Sequence, residues 1–497
     1  MSPLTPPPVL VPEGLSQDLA AFAPAFVIFG AALVILLWEA VVRPADKRVF
    51  MGFSLTAILV ALGLNVGVPV DDRLGFSGMV SFDAYSVFFN SVFLISAALS
   101  TLLSHDYLER VGVRIGEYYS LVLFGLFGMM LLGMGADLML LFVGIEVMSI
   151  AFYCLSAIKR TDARGIESGF KYFIMGAFAS GILLYGVSFV YGATGTTSLQ
   201  GIRAAIDGGV HGGMLGLGVA FIIAGFLFKI AAVPFHMWAP DVYEGAPASV
   251  TGYMATGVKA ASFAAFGRVL FVAFLGLKDD WAAPLMVIAA VTMLLGNLVA
   301  LVQDDLKRML AYSSIAHAGY MLMAIVAVDS ESVGLNGQVS GLLFYLLAYT
   351  FMNLGAFAVL TLMAGDRDDL TSIKGLAGLS TRNPGVAAGL ALCLFSLAGI
   401  PPTMGFVGKF YLFAAAIRAD YVGLAVVAAL SGAIGVYYYL RPIVVMYMQE
   451  GGEPLALRPT AASIGALAIA SVAILYFGLF PSQLIELCQA GVLSLVG

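Results

Sequence analysis

The chain alternates between long, nearly uninterrupted apolar runs and short polar breaks. A helix crossing a hydrocarbon core about 30 Å thick needs about 20 mostly apolar residues. Fourteen such runs occur, at 22–42, 50–70, 84–103, 118–134, 138–158, 170–191, 215–237, 249–275, 282–302, 310–328, 340–363, 386–417, 421–447 and 461–480. The pattern predicts an all-α polytopic membrane protein with 14 transmembrane helices. The segment before the first run contains no Lys or Arg. It therefore lacks the basic region of a cleavable signal peptide, and the first run is expected to be retained.

Composition agrees. Of the 497 residues 61% are hydrophobic and 11% charged, against about 45–50% apolar and about 25% charged in soluble domains. A net charge of -6 argues against a nucleic-acid surface, which needs clustered Lys and Arg. Cys154, Cys393 and Cys488 are far apart with no ligand spacing, so iron–sulfur and zinc sites are not expected.

The polar breaks sort by charge. One alternate set holds Arg43, Lys47, Arg48, Arg110, Arg114, Lys159, Arg160, Arg164, Lys171, Lys307, Arg308, Arg367, Lys374, Arg382, Arg441 and Arg458; the other holds only Arg73, Arg203, Lys278 and Arg418. The richer set is expected to face the cytoplasm, which puts both termini on the periplasmic side and supports an even number of crossings.

Four basic residues fall inside the runs, Lys229, Lys259, Arg268 and Lys409, together with Glu146. A charge at mid-membrane costs roughly 2.5–3.5 kcal/mol even on the lenient insertion scale, so such groups mark an interior ion or proton path. Lys229, Lys259 and Glu146 are too deep to reach a headgroup. Arg268 and Glu39, near run ends, are within snorkelling reach of the interface and are expected to be structural. Burial penalises a charged ammonium while a nearby carboxylate favours it. A lysine held between those influences can take up and release a proton, and a moving partner Glu would drive that step. The alternative is a buried ion pair that only fixes helix packing.

Prolines mark two breaks. Pro234 lies within FKIAAVPFHMWAP, and Pro401-Pro402 within LAGIPPTMGFVGKFYLF, ahead of Lys409. Both helices are expected to unwind there. Pro234 and Pro401 are 167 residues apart, and the runs starting at 118 and 282 are 164 apart. The spacing predicts two five-helix repeats, 118–275 and 282–447, flanked by three helices in 1–117 and one in 448–497. Five is odd, so the repeats would be inverted, each with a broken helix, as in transporters with mid-membrane sites. Of the histidines, His105 and His211 are expected in loops and His236 just past its break. His317 lies deeper, as either a core group satisfied by a hydroxyl such as Ser313 or a proton relay. Only His236 and His317 sit at depths that could pair on a haem, which is not expected.

The strings MLLFVGIEVMSIAFYCLSA, FKIAAVPFHMWAPDVYEGAP, TGVKAASFAAFGRVL, LKRMLAYSSIAHAGYMLMA and GIPPTMGFVGKFYLF resemble the antiporter-like membrane subunits of respiratory complex I, NADH-quinone oxidoreductase. The resemblance covers nearly the whole chain. Lys409 separates it from sister subunit M, whose matching position carries Glu, and the chain ends about 17 residues after the last run, without the lateral helix of sister subunit L. Similar motifs occur in multisubunit sodium/proton antiporters, which supply the alternative function.

The resemblance implies that Glu146 is the fifth-helix carboxylate, Lys229 its partner on the broken seventh helix, Lys259 the central lysine of the eighth and Lys409 the terminal lysine of the broken twelfth. His317 would link Lys259 to Lys409 with help from bound water, since the tenth run offers no lysine at that point. Protons would pass from the cytoplasm through Lys229 and Lys259 to Lys409. The resemblance further implies no cofactor on this chain. NADH, FMN, iron–sulfur clusters and quinone would be handled by other subunits. The partners implied are sister subunit M, the small membrane subunits and the lateral helix of subunit L, in the lipid bilayer of a bacterial inner membrane. No G-x-G-x-x-G fingerprint follows a strand-like segment, in keeping with that division.

Overall fold

The computed structural model describes residues 14–70, 73–328, 337–363, 371–450, 457 and 459–493. Arg367 and Arg458 of the basic loop set lie outside these residues. Among the described residues twelve helices are long and apolar enough to cross a membrane. They are α1 (Ala23–Val41), α2 (Arg48–Val66), α3 (Ala84–Arg110), α4 (Glu117–Met134), α5 (Leu138–Ser156), α6 (Ala163–Thr194), α8 (Ala248–Ala273), α9 (Lys278–Ala300), α10 (Leu306–Val326), α11 (Gln338–Met363), α14 (Val422–Met448) and α15 (Ala461–Leu479). The runs at 215–237 and 386–417 fold instead as shorter pieces. The first gives α7 (Gly213–Lys229), a break, and a short helix Trp238–Gly245; the second gives α12 (Pro384–Ala398), a break at Gly399, and α13 (Met404–Arg418).

Proline accounts for the first break. The ring of Pro234 cannot donate to an i−4 carbonyl and clashes with it, and α7 stops at Lys229, with Ile230 as its C-cap. The Phe228 carbonyl accepts from the Ala231 N–H and from the Trp238 indole N–H at 3.0 Å, and the Val233 N–H donates to Thr292 Oγ1 on α9 at 3.0 Å. The freed backbone groups are thereby satisfied inside the protein, as a hydrocarbon surrounding requires.

The arrangement has an inside and an outside. Helices α8, α10 and α11 are almost wholly enclosed by the others, whereas α1, α2, α6, α7 and α15 turn large apolar side chains such as Leu37, Leu59, Phe170, Tyr185, Leu217 and Val472 outward. An apolar belt of this kind belongs against lipid. Glycine lets the backbones meet. A Cβ on Gly128 of α4 would stand 2.5 Å from the Met148 nitrogen of α5, and one on Gly296 of α9 would stand 2.6 Å from the Ala316 nitrogen of α10.

Three features depart from the sequence reading. The chain is not purely helical, since β1 (Arg73–Gly75) and β2 (Val80–Phe82) pair antiparallel with Arg73 opposite Phe82. Strands of three residues are too short to leave a period-two signature, and Asp18 pins their turn by accepting from the Phe76 N–H at 2.7 Å and from Arg73. His105 is not in a loop. Helix α3 runs two turns beyond the apolar run, and the imidazole is buried between Arg48 Nε at 3.1 Å and the Tyr119 hydroxyl at 3.3 Å. Hydropathy stops counting at the first charges, but the helix does not. Finally, α8 is not a uniform helix: π-helical turns at Met254–Val258 and Val269–Ala273 bracket its α-helical stretch Lys259–Arg268.

Candidate functional site

Glu146, Ser149 and Tyr153 follow one another at i, i+3 and i+7 on α5, which puts them on one face. Lys229 meets that face as the last residue of α7, where the negative end of the helix dipole favours a cation. Its ammonium donates to Ser149 Oγ at 2.7 Å and to the Tyr153 hydroxyl at 3.5 Å, over the rings of Tyr153 and Tyr172. Glu146 is within electrostatic reach of this lysine but makes no ion pair with it within 4 Å, and its Oε1 is buried with no hydrogen-bond partner. The pair foreseen from sequence is adjacent without being closed.

Lys259 begins the α-helical stretch that follows the first π turn of α8. The extra residue of such a turn displaces the following side chains, and π turns recur at functional positions. Its ammonium donates to both the carbonyl and the hydroxyl of Ser314 on α10, each at 2.5 Å, and lies 5.8 Å from the centre of the Tyr349 ring of α11.

One turn along α10, His317 is clasped by two tyrosines: Nδ1 meets the Tyr345 hydroxyl of α11 at 2.5 Å and Nε2 the Tyr439 hydroxyl of α14 at 2.9 Å. A neutral imidazole donates from one nitrogen and accepts at the other, and a phenol can do either. Tyr439 is also hydrogen-bonded to Ser313. The two sequence alternatives for His317 thus meet in one network, with the Ser313 hydroxyl one step removed. Neither lysine is bonded to His317. Ring contacts span the gaps, with Tyr349 5.0 Å from the imidazole on the Lys259 side and Tyr320 5.7 Å from it on the Lys409 side.

Lys409 completes the row from α13. Its ammonium lies 5.2 Å from the centre of the Tyr320 ring and donates to the carbonyls of Leu397 at 2.9 Å and Ala398 at 3.0 Å. Those carbonyls are orphans at the C-terminus of α12, so the lysine ties together the halves of its own broken helix. The four cationic or imidazole groups are deep: Lys229 is 4% exposed, Lys259 2%, Lys409 8% and His317 1%.

The remaining sequence candidates fall elsewhere. Arg268 does not snorkel. It is enclosed, paired with Asp83 at the start of α3, and donates to Ser86 Oγ and the Gly133 carbonyl. Its own helix end is covered by neighbouring helices, so there is no headgroup to reach. Glu39 is paired with Lys47, its Oε1 at 2.6 Å. His236 stands in the break after Pro234 with Nδ1 buried and unpartnered. Lys307, counted among the loop charges, is instead 2% exposed, and donates to the carbonyls of Glu244 at 2.9 Å and Ala246 at 2.8 Å, where Trp238–Gly245 ends. Sequence reasoning missed it because its burial comes from a segment 60 residues away. Ser149, Ser314, Tyr345 and Tyr439 were missed because hydroxyls are common in membrane helices. Their spacing from Glu146 and His317 is the only signal they give.

The chain is a polytopic helical membrane protein with a buried row of protonatable groups inside a belt of lipid-facing helices, two of the row, Lys229 and Lys409, standing on broken helices. The sequence profile of the family NADH:quinone oxidoreductase/Mrp antiporter, TM, matches residues 135–435. NADH-quinone oxidoreductase subunit N of Trichlorobacter lovleyi is 42% identical over 478 residues, covering 96% of this chain and 97% of that protein. Among solved structures, a chain of respiratory complex I from Thermus thermophilus with bound aureothin aligns with a TM-score of 0.78 and 31% identity, over 93% of this chain and 98% of that one. A chain of the Mrp complex from Dietzia sp. aligns with a TM-score of 0.80 at 21% identity, over 96% and 100%, a likeness of fold. The chain belongs to this family, in its NADH-quinone oxidoreductase subunit N branch.

Proposed function

We propose that this chain is a proton-translocating, antiporter-like membrane subunit of NADH-quinone oxidoreductase, and that Glu146, Lys229, Lys259, His317 and Lys409 carry the protons. The observation behind this is the seating of the three lysines. Each ammonium rests on neutral oxygens at a helix end, a helix break or a π turn. A group held this way can lose its proton without stranding a bonded carboxylate. Glu146 supplies the drive: closing on Lys229 it favours the ammonium, and withdrawing it releases the proton toward Lys259. From Lys259 the proton passes through Ser314, His317 and its tyrosines, with water bridging the ring-only gaps, and leaves by Lys409.

The finer architecture belongs to the same proposal. The broken segments complete fourteen crossings, and 118–275 and 282–447 are inverted copies. The matching glycine contacts, α4 on α5 and α9 on α10, support this. The chain works in the inner membrane within a multisubunit complex beside sister subunits M and L, its termini on the periplasmic side. NADH, FMN, iron–sulfur and quinone chemistry is carried by other subunits of that complex. Among the described residues there is no group of three or more His, Cys, Asp or Glu able to hold a metal ion. An antiporter without redox input shares the fold, but the 42% relative favours the redox-driven complex.

The test is to make Lys229→Ala and Lys259→Ala in the assembled complex. Both are expected to lower proton pumping and coupled NADH:quinone turnover by at least roughly tenfold, in line with loss of a positioned proton carrier, while assembly persists. Unchanged pumping in both, or full activity in the double variant Glu146→Gln with Lys229→Met, would reduce these charges to packing devices.

A further inference from the structure

Away from the lysine row, a cavity of about 530 Å³ opens on the outer face between α12 and α15. Its walls are apolar and mostly small: Gly389, Leu392, Leu467, Ala468 and Ser471 line it over about two turns of each helix, or roughly 11 Å of length. Ala388 and Ala468 are exposed along it, so among the described residues nothing fills it.

The mouth is chemically different. Arg382 stands there, its Nε donating to the Gly378 carbonyl and one terminal nitrogen to the Ala377 carbonyl, while its Nη1 is buried with no partner. The N-termini of both wall helices open at the same end. α12 starts at Pro384 without a side-chain cap, and α15 starts at Ala461 beside Pro459 of the lining, with Thr460 capping the Ser463 N–H. The uncapped start of α12 and two positive dipole ends converge with the Arg382 guanidinium, and among the described residues no acidic one lines the cavity.

We infer that this groove is a binding site for an anionic phospholipid. The phosphate lies against the part-exposed Arg382 guanidinium and accepts from the N–H groups of Gly385 and Val386, and one acyl chain lies along Gly389, Leu392 and Ser471. A zwitterionic head would offer the same phosphate but bring a cation toward Arg382, so the selectivity is for net negative charge. A neighbouring subunit seated on the groove would leave the guanidinium donor unmet unless it brought its own acidic group.

The experiment uses the purified whole complex, stripped of lipid in detergent and titrated with phosphatidylglycerol, phosphatidylcholine or inorganic phosphate, with bound lipid counted by native mass spectrometry. The wild type is expected to retain one phosphatidylglycerol that phosphatidylcholine and phosphate do not displace. Arg382→Gln is expected to weaken it roughly tenfold, and Ala468→Phe to exclude it by filling the groove. Equal retention in wild type and both variants would overturn the site, as would displacement by free phosphate. A cross-link from Ser471→Cys to another subunit would assign the groove to a protein neighbour instead.

Discussion

The buried cations are of two kinds, and the difference is in what holds them. Arg268 is locked to Asp83, and its terminal nitrogens also donate to Ser86 and the Gly133 carbonyl. A guanidinium does not deprotonate in a protein, so this is a fixed charge pair that staples α3 to α8. Lys229, Lys259 and Lys409 instead sit on hydroxyls and carbonyls, and lose only hydrogen bonds when they lose a proton. This gives a sharp prediction. Lys259→Arg keeps the cation and can still reach Ser314, but it cannot release a proton. It is expected to assemble and yet cut pumping by at least roughly tenfold, as measured by proton uptake in reconstituted vesicles. Normal pumping would make Lys259 a structural cation. The lysines and Glu146 were legible in the sequence because a charge inside an apolar run is costly and therefore conspicuous. The oxygens that seat them were not, since a serine in a membrane helix satisfies itself on its own backbone and stands out from nothing.

At the scale of elements, both helix breaks were legible because proline removes a donor wherever it sits. The π turns of α8 were not, because they arise from packing against neighbours and leave no mark in residue type. The clamp that holds the loose piece of the first broken helix was likewise hidden. Asp241 on Trp238–Gly245 accepts from Lys171 of α6 at 2.8 Å and from Arg308 of α10 at 3.2 Å, and Glu244 takes Arg308 at 2.6 Å. Burial raises the Asp241 carboxyl, but the Lys171 hydrogen bond and the charges of Lys171 and Arg308 outweigh it and hold it below its ordinary 3.8. A carboxylate depressed on folding stabilises at pH above its unfolded value, and that stability fades as pH falls through the lower folded value. The clamp should therefore stay shut from neutral pH down to about 4 and open only below. Asp241 is substantially exposed, so the link contributes at most about 1 kcal/mol. Hydrogen–deuterium exchange over 238–245 is expected to rise in acid for the wild type, and to be raised already at neutral pH, with little further acid dependence, in Asp241→Asn. An identical pH profile in the two proteins would remove Asp241 from the clamp.

Over the whole molecule, the sequence made the outside plain, because lipid rewards length and hydropathy, and left the inside obscure, because α8, α10 and α11 are enclosed by helices that look the same in composition. Enclosure matters for function. The row from Lys229 to Lys409 is screened from lipid by the outer helices, so charge can move along it at lower cost than at the lipid face. On the proposed mechanism, the energy that shifts Glu146 would arrive through contacts at the outer surface. Gentle solubilisation of native membranes and separation by size is expected to carry this chain with NADH:quinone reductase activity in one large assembly. The same assembly should show no sodium-driven proton flux when electron donors are withheld. Migration in a smaller, reductase-free assembly with such flux would transfer the lysine row, geometry intact, to an ion-exchange cycle.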